Sequence, residues 1–228
     1  MRYLRTLLSL IVCGALSLPA FAHATKQEEV LQSSEQVLKQ SVGAPDRGIP
    51  KELLEKAECV GVFPGVTKGA FVVGGEFGRG VFTCRQKDGS MGAPAFFSIG
   101  GPSFGWQFGG KQADLVLLIM NEDGVKHLLQ DRFTLGGEAA AVAGPVGRTA
   151  QAATDLQLHA QILSWARSRG VFLGASLDGT VIKPSADKTT EFYGKPVSAR
   201  EVLVDHSVAV PKAARSFVQT TTEQTRRS

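Results

Sequence analysis

Cysteine is scarce in this chain, with three residues in 228, none spaced as C-x-x-C and none grouped with histidine. That scarcity excludes the common thiolate zinc modules and dithiol redox motifs. H-E-x-x-H is missing too, so the helical zinc-protease signature is absent. Neither sign of charge is in strong excess: the formal net charge is +4, and Arg2 and Arg5 lie in the first 24 residues with no acid beside them, which leaves +2 for the remainder. The stretch after His206 holds Lys212, Arg215, Arg226 and Arg227 against Glu223, so residues 25–206 carry about −1. A body this close to neutral gives no electrostatic ground for a nucleic-acid partner. Long apolar runs are lacking as well. Residues 6–18 are almost wholly apolar but short, and nothing later approaches the roughly 20 residues a spanning helix needs. No fixed-period repeat is present.

What is there begins with MRYLR, the apolar run, and small-residue AFA and AHA triplets at residues 20–24. This layout predicts a secretory signal peptide over residues 1–24, cleaved after Ala22 or Ala24, and a periplasmic protein that is soluble or peripheral on a membrane surface. Cys13 sits inside the apolar run behind bulky Val12, which argues against a lipid-modified cysteine. Cys59 and Cys84 remain, and an oxidising compartment makes them a candidate disulfide; two buried thiols are the alternative.

Residues 25–42, TKQEEVLQSSEQVLKQSV, set Val30, Leu31, Val37, Leu38 and Val42 on one helical stripe. GAPDRG ends that helix, and Pro50 opens a short second one over residues 49–56. CVGVFPGV reads as a strand ending at Pro64. Through residues 65–121 glycine recurs among Val and Phe, with a KDGS turn at residues 87–90, which predicts successive hairpins in a strongly curved sheet. Helical spacing returns at 121–133, another hairpin is expected over 161–182, and short helices over 186–192 and 198–204. Residues 207–228 read as a loose polar tail. The expected fold class is α+β: a curved, glycine-rich, mainly antiparallel sheet or partial barrel with flanking helices, forming a single domain over 25–206.

GPSFGWQFGGKQ at residues 101–112 overlaps two active-site patterns. Gly101, Ser103 and Gly105 fit G-x-S-x-G, but Phe104, Trp106 and Phe108 then alternate as in a strand, where a nucleophile elbow needs a helix. His127, His159 and His206 stand in no recognisable setting for a base. Ser103 therefore stays only as a remote hydrolase alternative. Gly105, Gly110 and Lys111 approximate a phosphate loop, yet Gln112 replaces the magnesium-binding hydroxyl and strand-like ADLVLLIM follows. Arg167 and Arg169, in the turn WARSRG, are candidates for an anion contact; a solvated turn is the plainer reading.

IPKELLEKAECVGVFPGVTKGAFVVGGEFGRGVFTCR, GGPSFGWQFGGKQADLVLLIMNEDGVKHLL, LGGEAAAVAGPVGR and ILSWARSRGVFLGASLDG, in this order from about residue 49 to 203, resemble the SYLF domain. SYLF domains are lipid-binding and actin-binding modules of endocytic adaptors, and this chain resembles a bacterial, exported, stand-alone version. The resemblance implies an α+β fold, phospholipid or phosphoinositide binding, actin bundling in fungal members, and no enzyme activity or cofactor. It also implies a lysine-rich amphipathic helix ahead of the IP-x-x-x-L segment. Residues 25–42 occupy that place, but Lys26 and Lys39 face Glu28, Glu29 and Glu35. An exported bacterial protein would not meet actin. The expected function is a non-enzymatic module binding a phospholipid or phosphoinositide-type headgroup in the cell envelope; the alternative is an envelope structural or protein-interaction factor docking a partner on its sheet. The candidate lipid-binding residues are Lys51, Lys68, Arg79, Lys111, Arg148, Arg167 and Arg169, with Val30, Leu31, Val37 and Leu38 as a membrane-insertion face; packing of that stripe on the domain is the competing outcome.

Overall fold

The computed structural model describes residues 24–42, 48–67, 78–101, 112–146, 160–168 and 171–227. In chain order these form α1 (Lys26–Val42), α2 (Lys51–Lys56), β1 (Cys59–Thr67), β2 (Gly78–Cys84), β3 (Ala95–Gly100), β4 (Gln112–Ile119), α3 (Glu122–Leu128), β5 (Phe133–Thr134), β6 (Ala141–Ala143), β7 (Ile162–Ser168), β8 (Val171–Gly174), β9 (Val181–Pro184), α4 (Ala186–Tyr193), α5 (Ala199–Leu203) and α6 (Arg215–Gln224). Among the described residues the strands make one curled, mainly antiparallel sheet in the order β5-β9-β3-β2-β1-β4-β7-β6, with β8 beside β7 and β6 parallel to β7. The expected α+β class with a curved sheet is therefore the observed one.

Both faces of this sheet are buried. One face carries Phe63, Phe82, Phe97, Leu115, Leu117 and Ile182 under α3 and α5, through Leu128, Val202 and Leu203. The other carries Val60, Val62, Val81, Phe96, Val116 and Trp165 under α1, α2 and α6, through Leu31, Leu38, Leu54 and Phe217. Central strands covered twice lose the apolar/polar alternation of a half-exposed strand, which is why β1 and β4 read as near-continuous apolar runs. Two glycines let the aromatic layer close. A side chain at Gly61 would enter the Phe82 ring, and one at Gly80 would strike the Val62 carbonyl and the Phe63 ring. Freed of those atoms, Phe63, Phe82 and Phe97 stack edge to face across three strands, at centroid distances of 5.7 and 4.9 Å.

Cys59 and Cys84 face each other in register on β1 and β2 and are joined by a disulfide, so the two-thiol alternative falls. Three expectations need correction. β1 does not end at Pro64: it continues to Thr67 through a register shift between Phe63 and Val66. β4 does not extend a simple run of hairpins, because it crosses to the far side of β1. The tail is not loose, since α6 packs on α1 and buries Phe217. Among the described residues no helix is long and apolar enough to cross a membrane.

Candidate ligand-binding groove

Position 27 of α1 begins a buried stripe that continues through Leu31, Ser34, Leu38 and Ser41, spaced four and three residues apart. This seam seats the helix across the α1-side face near the end of the sheet. Leu31 and Leu38 are fully buried there and Val37 nearly so, while Val30 is half-buried. As an insertion face the stripe is thus already occupied by the domain, and Gln27, Ser34 and Ser41 interrupt it with polar groups. Glu35 fixes the helix from the other side. Its carboxylate accepts hydrogen bonds from Lys39 Nζ on its own helix and from Ser216 Oγ and Thr220 Oγ1 on α6, at 2.6, 2.9 and 3.2 Å. Burial works to raise its pKa, but Lys39, Ser216 and Thr220 together outweigh that and hold it below the ordinary carboxylate value.

Between α1 and the strand ends lies a cavity of about 630 Å³. One wall is the outward polar side of α1, with Lys26, Glu29, Ser33, Gln36 and Gln40 beside Val30 and Val37; the other is Pro64, Gly65, Thr67, Gly78, Arg79, Asp114 and Arg167 from β1, β2, β4 and β7. Asp114 organises the β4–β7 corner. Its Oδ1 accepts the Gly65 N–H at 2.8 Å and its Oδ2 accepts Arg167 Nε at 2.9 Å and Nη2 at 2.5 Å. Gly65 has φ +59°, a conformation that costs glycine little, so the bulge of β1 can turn its N–H toward the carboxylate. Arg167 also donates to Gln40 Oε1, tying the end of α1 to the sheet, and lies over the Phe172 ring at 5.5 Å. Paired and fixed, it is a wall rather than a free cation. Lys26 and Arg79 differ: neither has an ion-pair partner among the described residues.

Of the residues expected to bind ligand, Arg79 and Arg167 come together on this groove, and Val30 and Val37 line it. Arg167 does so from strand β7, in register with Asp114, and not from a turn. Lys51 stands away from it on α2, paired with Glu55 at 3.2 Å. Lys68, Lys111, Arg148 and Arg169 lie outside the described residues, as do Ser103 and the body of the 101–112 motif. The sequence reading missed Lys26, Gln40 and Asp114 as groove residues. Asp114 had left a signal, as the one acid in a strand that is apolar after Gln112 in every other position. Among the described residues no cluster of three or more His, Cys, Asp or Glu side chains is placed to hold a metal ion.

Comparison with known proteins places this sequence in a family. The family model described as Las17-binding protein actin regulator, Ysc84, matches residues 100–224, more than half of the chain. Protein YSC84 of Saccharomyces cerevisiae is 31% identical over 192 residues, covering 83% of this chain and 40% of the relative. LAS seventeen-binding protein 3 of the same yeast is 31% identical over 161 residues, 69% of this chain and 35% of the relative. SH3 domain-containing YSC84-like protein 1 of Homo sapiens is 28% identical over 183 residues, 80% of this chain and 53% of the relative. The chain thus spans about a third to a half of the length of these curated relatives. On the family match and these identities, the chain belongs to the Ysc84, or SYLF, domain family.

Proposed function

We propose that this protein is a non-enzymatic binding module of the bacterial cell envelope, exported to the periplasm, whose α1–sheet groove receives the polar headgroup of a membrane phospholipid. The observation that carries the reading is the lining of the groove: Lys26 and Arg79 flank an otherwise polar wall, with Val30, Val37 and Pro64 its few apolar members. An acyl chain wants a continuous apolar sleeve. A headgroup wants hydrogen-bonding walls with one or two cations, and this groove supplies those on rigid elements. Membrane contact by insertion of α1 is set aside, because its apolar stripe is committed to the core.

One of these relatives is named for binding LAS seventeen, and the family for binding Las17 and regulating actin; those partners belong to those proteins. A partner docking flat on the sheet of this chain would meet α1, α2 and α6 on one face and α3 and α5 on the other. Flotation with phosphatidylcholine vesicles, with and without anionic lipid, tests the reading. The protein is expected to float with anionic vesicles. Arg79→Glu should weaken that binding by roughly tenfold or more, since a basic residue near an anionic surface contributes about 1 kcal/mol and reversal counts twice. A protein that never floats sinks the proposal.

A further inference from the structure

The helical layers on the two faces of the sheet are joined near the end of the chain by a single connector. α5 lies on the Phe82 face and α6 on the Trp165 face. Residues 204–211 carry the chain between them, with Val208 packed on the first core and Val210 against both. This connector is poorly held. His206 has φ +47°, the only positive φ of a non-glycine residue among the described residues, in a region that crowds the Cβ. Its ring abuts Gly92, where a side chain would meet Nδ1, and that nitrogen is buried with no hydrogen-bond partner. Val208, Ala209 and Val210 make no hydrogen bond to any described residue. A strained backbone and an unsatisfied buried nitrogen at one residue both disfavour the path that the connector takes.

α6 itself is held well. Ala214, which precedes it, and Phe217 are buried in one core with Leu31, Leu38, Leu54 and Met91. The Ser216 and Thr220 hydroxyls donate to Glu35, and Thr222 Oγ1 accepts the Met91 N–H at 3.0 Å. Just beyond the helix, Arg227 Nε donates to the Glu55 carbonyl at 3.2 Å. All of these partners lie between residues 31 and 91, far from the connector in sequence. The seat is therefore complete in every copy of the chain, whichever copy supplies the helix.

We propose that α6 exchanges between two copies of this chain, giving a two-fold dimer in which each seat is filled by the helix of the other. The exchange keeps the contacts of α6 and releases the one segment that the monomer strains, so the drive toward it resides in the connector. When extended, residues 204–211 reach roughly 25 Å, enough to deliver α6 to a neighbouring seat. Exchange is reciprocal, so both seats are filled and the assembly closes at two copies. So short a connector also gives the helix a high local concentration at its own seat; the monomer prevails in dilute solution and the dimer where the chain is concentrated. In the dimer each Glu35 is bonded from the second copy, so α1, one wall of the groove, is pinned in trans. The inference is independent of what the groove binds.

Size exclusion with light scattering tests it on the full mature chain, held at millimolar concentration just below its melting temperature, then cooled and diluted. A dimer that outlasts dilution is expected, because return to monomer requires both helices to leave their seats. In a dimer of ¹³C-labelled and unlabelled copies refolded together, contacts between α1 and α6 should appear across copies. His206→Gly relieves both connectors in the monomeric state and should lower the association constant about tenfold. Deleting residues 208–210 shortens the reach by roughly 10 Å, so that the helix no longer returns to its own seat and the dimer becomes the main species at micromolar concentration. Where the deleted chain does not fold, the mixed-label spectrum and the glycine variant decide the matter. A parent chain that stays monomeric after this treatment overturns the proposal. So does a dimer whose α1–α6 contacts remain within each copy, or one whose association constant His206→Gly leaves unchanged; either result assigns association to another face.

Discussion

At the scale of single residues, Asp114 holds together more of the groove than any other side chain described. It joins the β1 bulge at Gly65 to Arg167 on β7, and Arg167 in turn holds Gln40 of α1. Asp114→Ala leaves a largely buried guanidinium unpaired and the Gly65 N–H without its acceptor. Because the pair keeps some solvent, at 23% and 18% side-chain exposure, the expected loss is about 1–3 kcal/mol, less than for a fully buried pair. Urea denaturation measures it, with Asp114→Asn expected to fall between the two; a parent-like midpoint for Asp114→Ala would count against this role. Arg167 was legible as an anion-contact candidate from its sequence, but not its commitment to Asp114. That partner is 53 residues away, and only the β4–β7 register brings them together.

At the scale of elements, the helices show where sequence patterns succeed and fail. α1 was legible because Leu31, Val37 and Leu38 recur at helical spacing; that the stripe packs inward depended on a sheet face being available to receive it. α6 was not legible. RSFVQTTTEQ offers only Phe217 and Val218 as apolar residues, and much of its buried side is threonine. Thr221 Oγ donates to the Phe217 carbonyl at 2.7 Å and Thr225 Oγ to that of Thr221 at 2.8 Å, so these hydroxyls satisfy themselves and expose only methyl groups to the core. Hydrophobic periodicity cannot register such a face. Glu35 makes the α1–α6 contact sensitive to acid. Its folded-state pKa is lowered from 4.5, so its contribution is fully present above that value and is lost as pH falls through the folded one. The gap in melting temperature between the parent and Glu35→Gln should accordingly be widest near neutrality and close on acidification below 4.5. A gap that stays constant with pH would assign the effect of the substitution to packing instead.

At the scale of the whole molecule, the class of fold was readable from glycine among β-branched and aromatic residues, but the order of strands was not. Turn signals report hairpins between neighbours in sequence, such as β2–β3 across residues 87–90. They carry no information on β1 pairing with β4, or β3 with β9, which are fixed by the fit of two cores on opposite faces. The Cys59–Cys84 bridge lies within that doubly covered sheet, with the two residues 0% and 4% exposed. Reductant under native conditions should leave it intact, as followed by thiol labelling, whereas reduction in denaturant should lower the refolded stability by about 3 kcal/mol in the chain-entropy model. Rapid labelling of the native protein in reductant would contradict this placement. The Glu35 contacts also set an order of events during synthesis. Their partners on α6 are 181 and 185 residues further along the chain, so α1 is made first and its clasp last. Until the ribosome has delivered α6, Glu35 lacks its Ser216 and Thr220 partners, and of the contacts described here α1 has its buried stripe on the sheet and the Gln40–Arg167 bond.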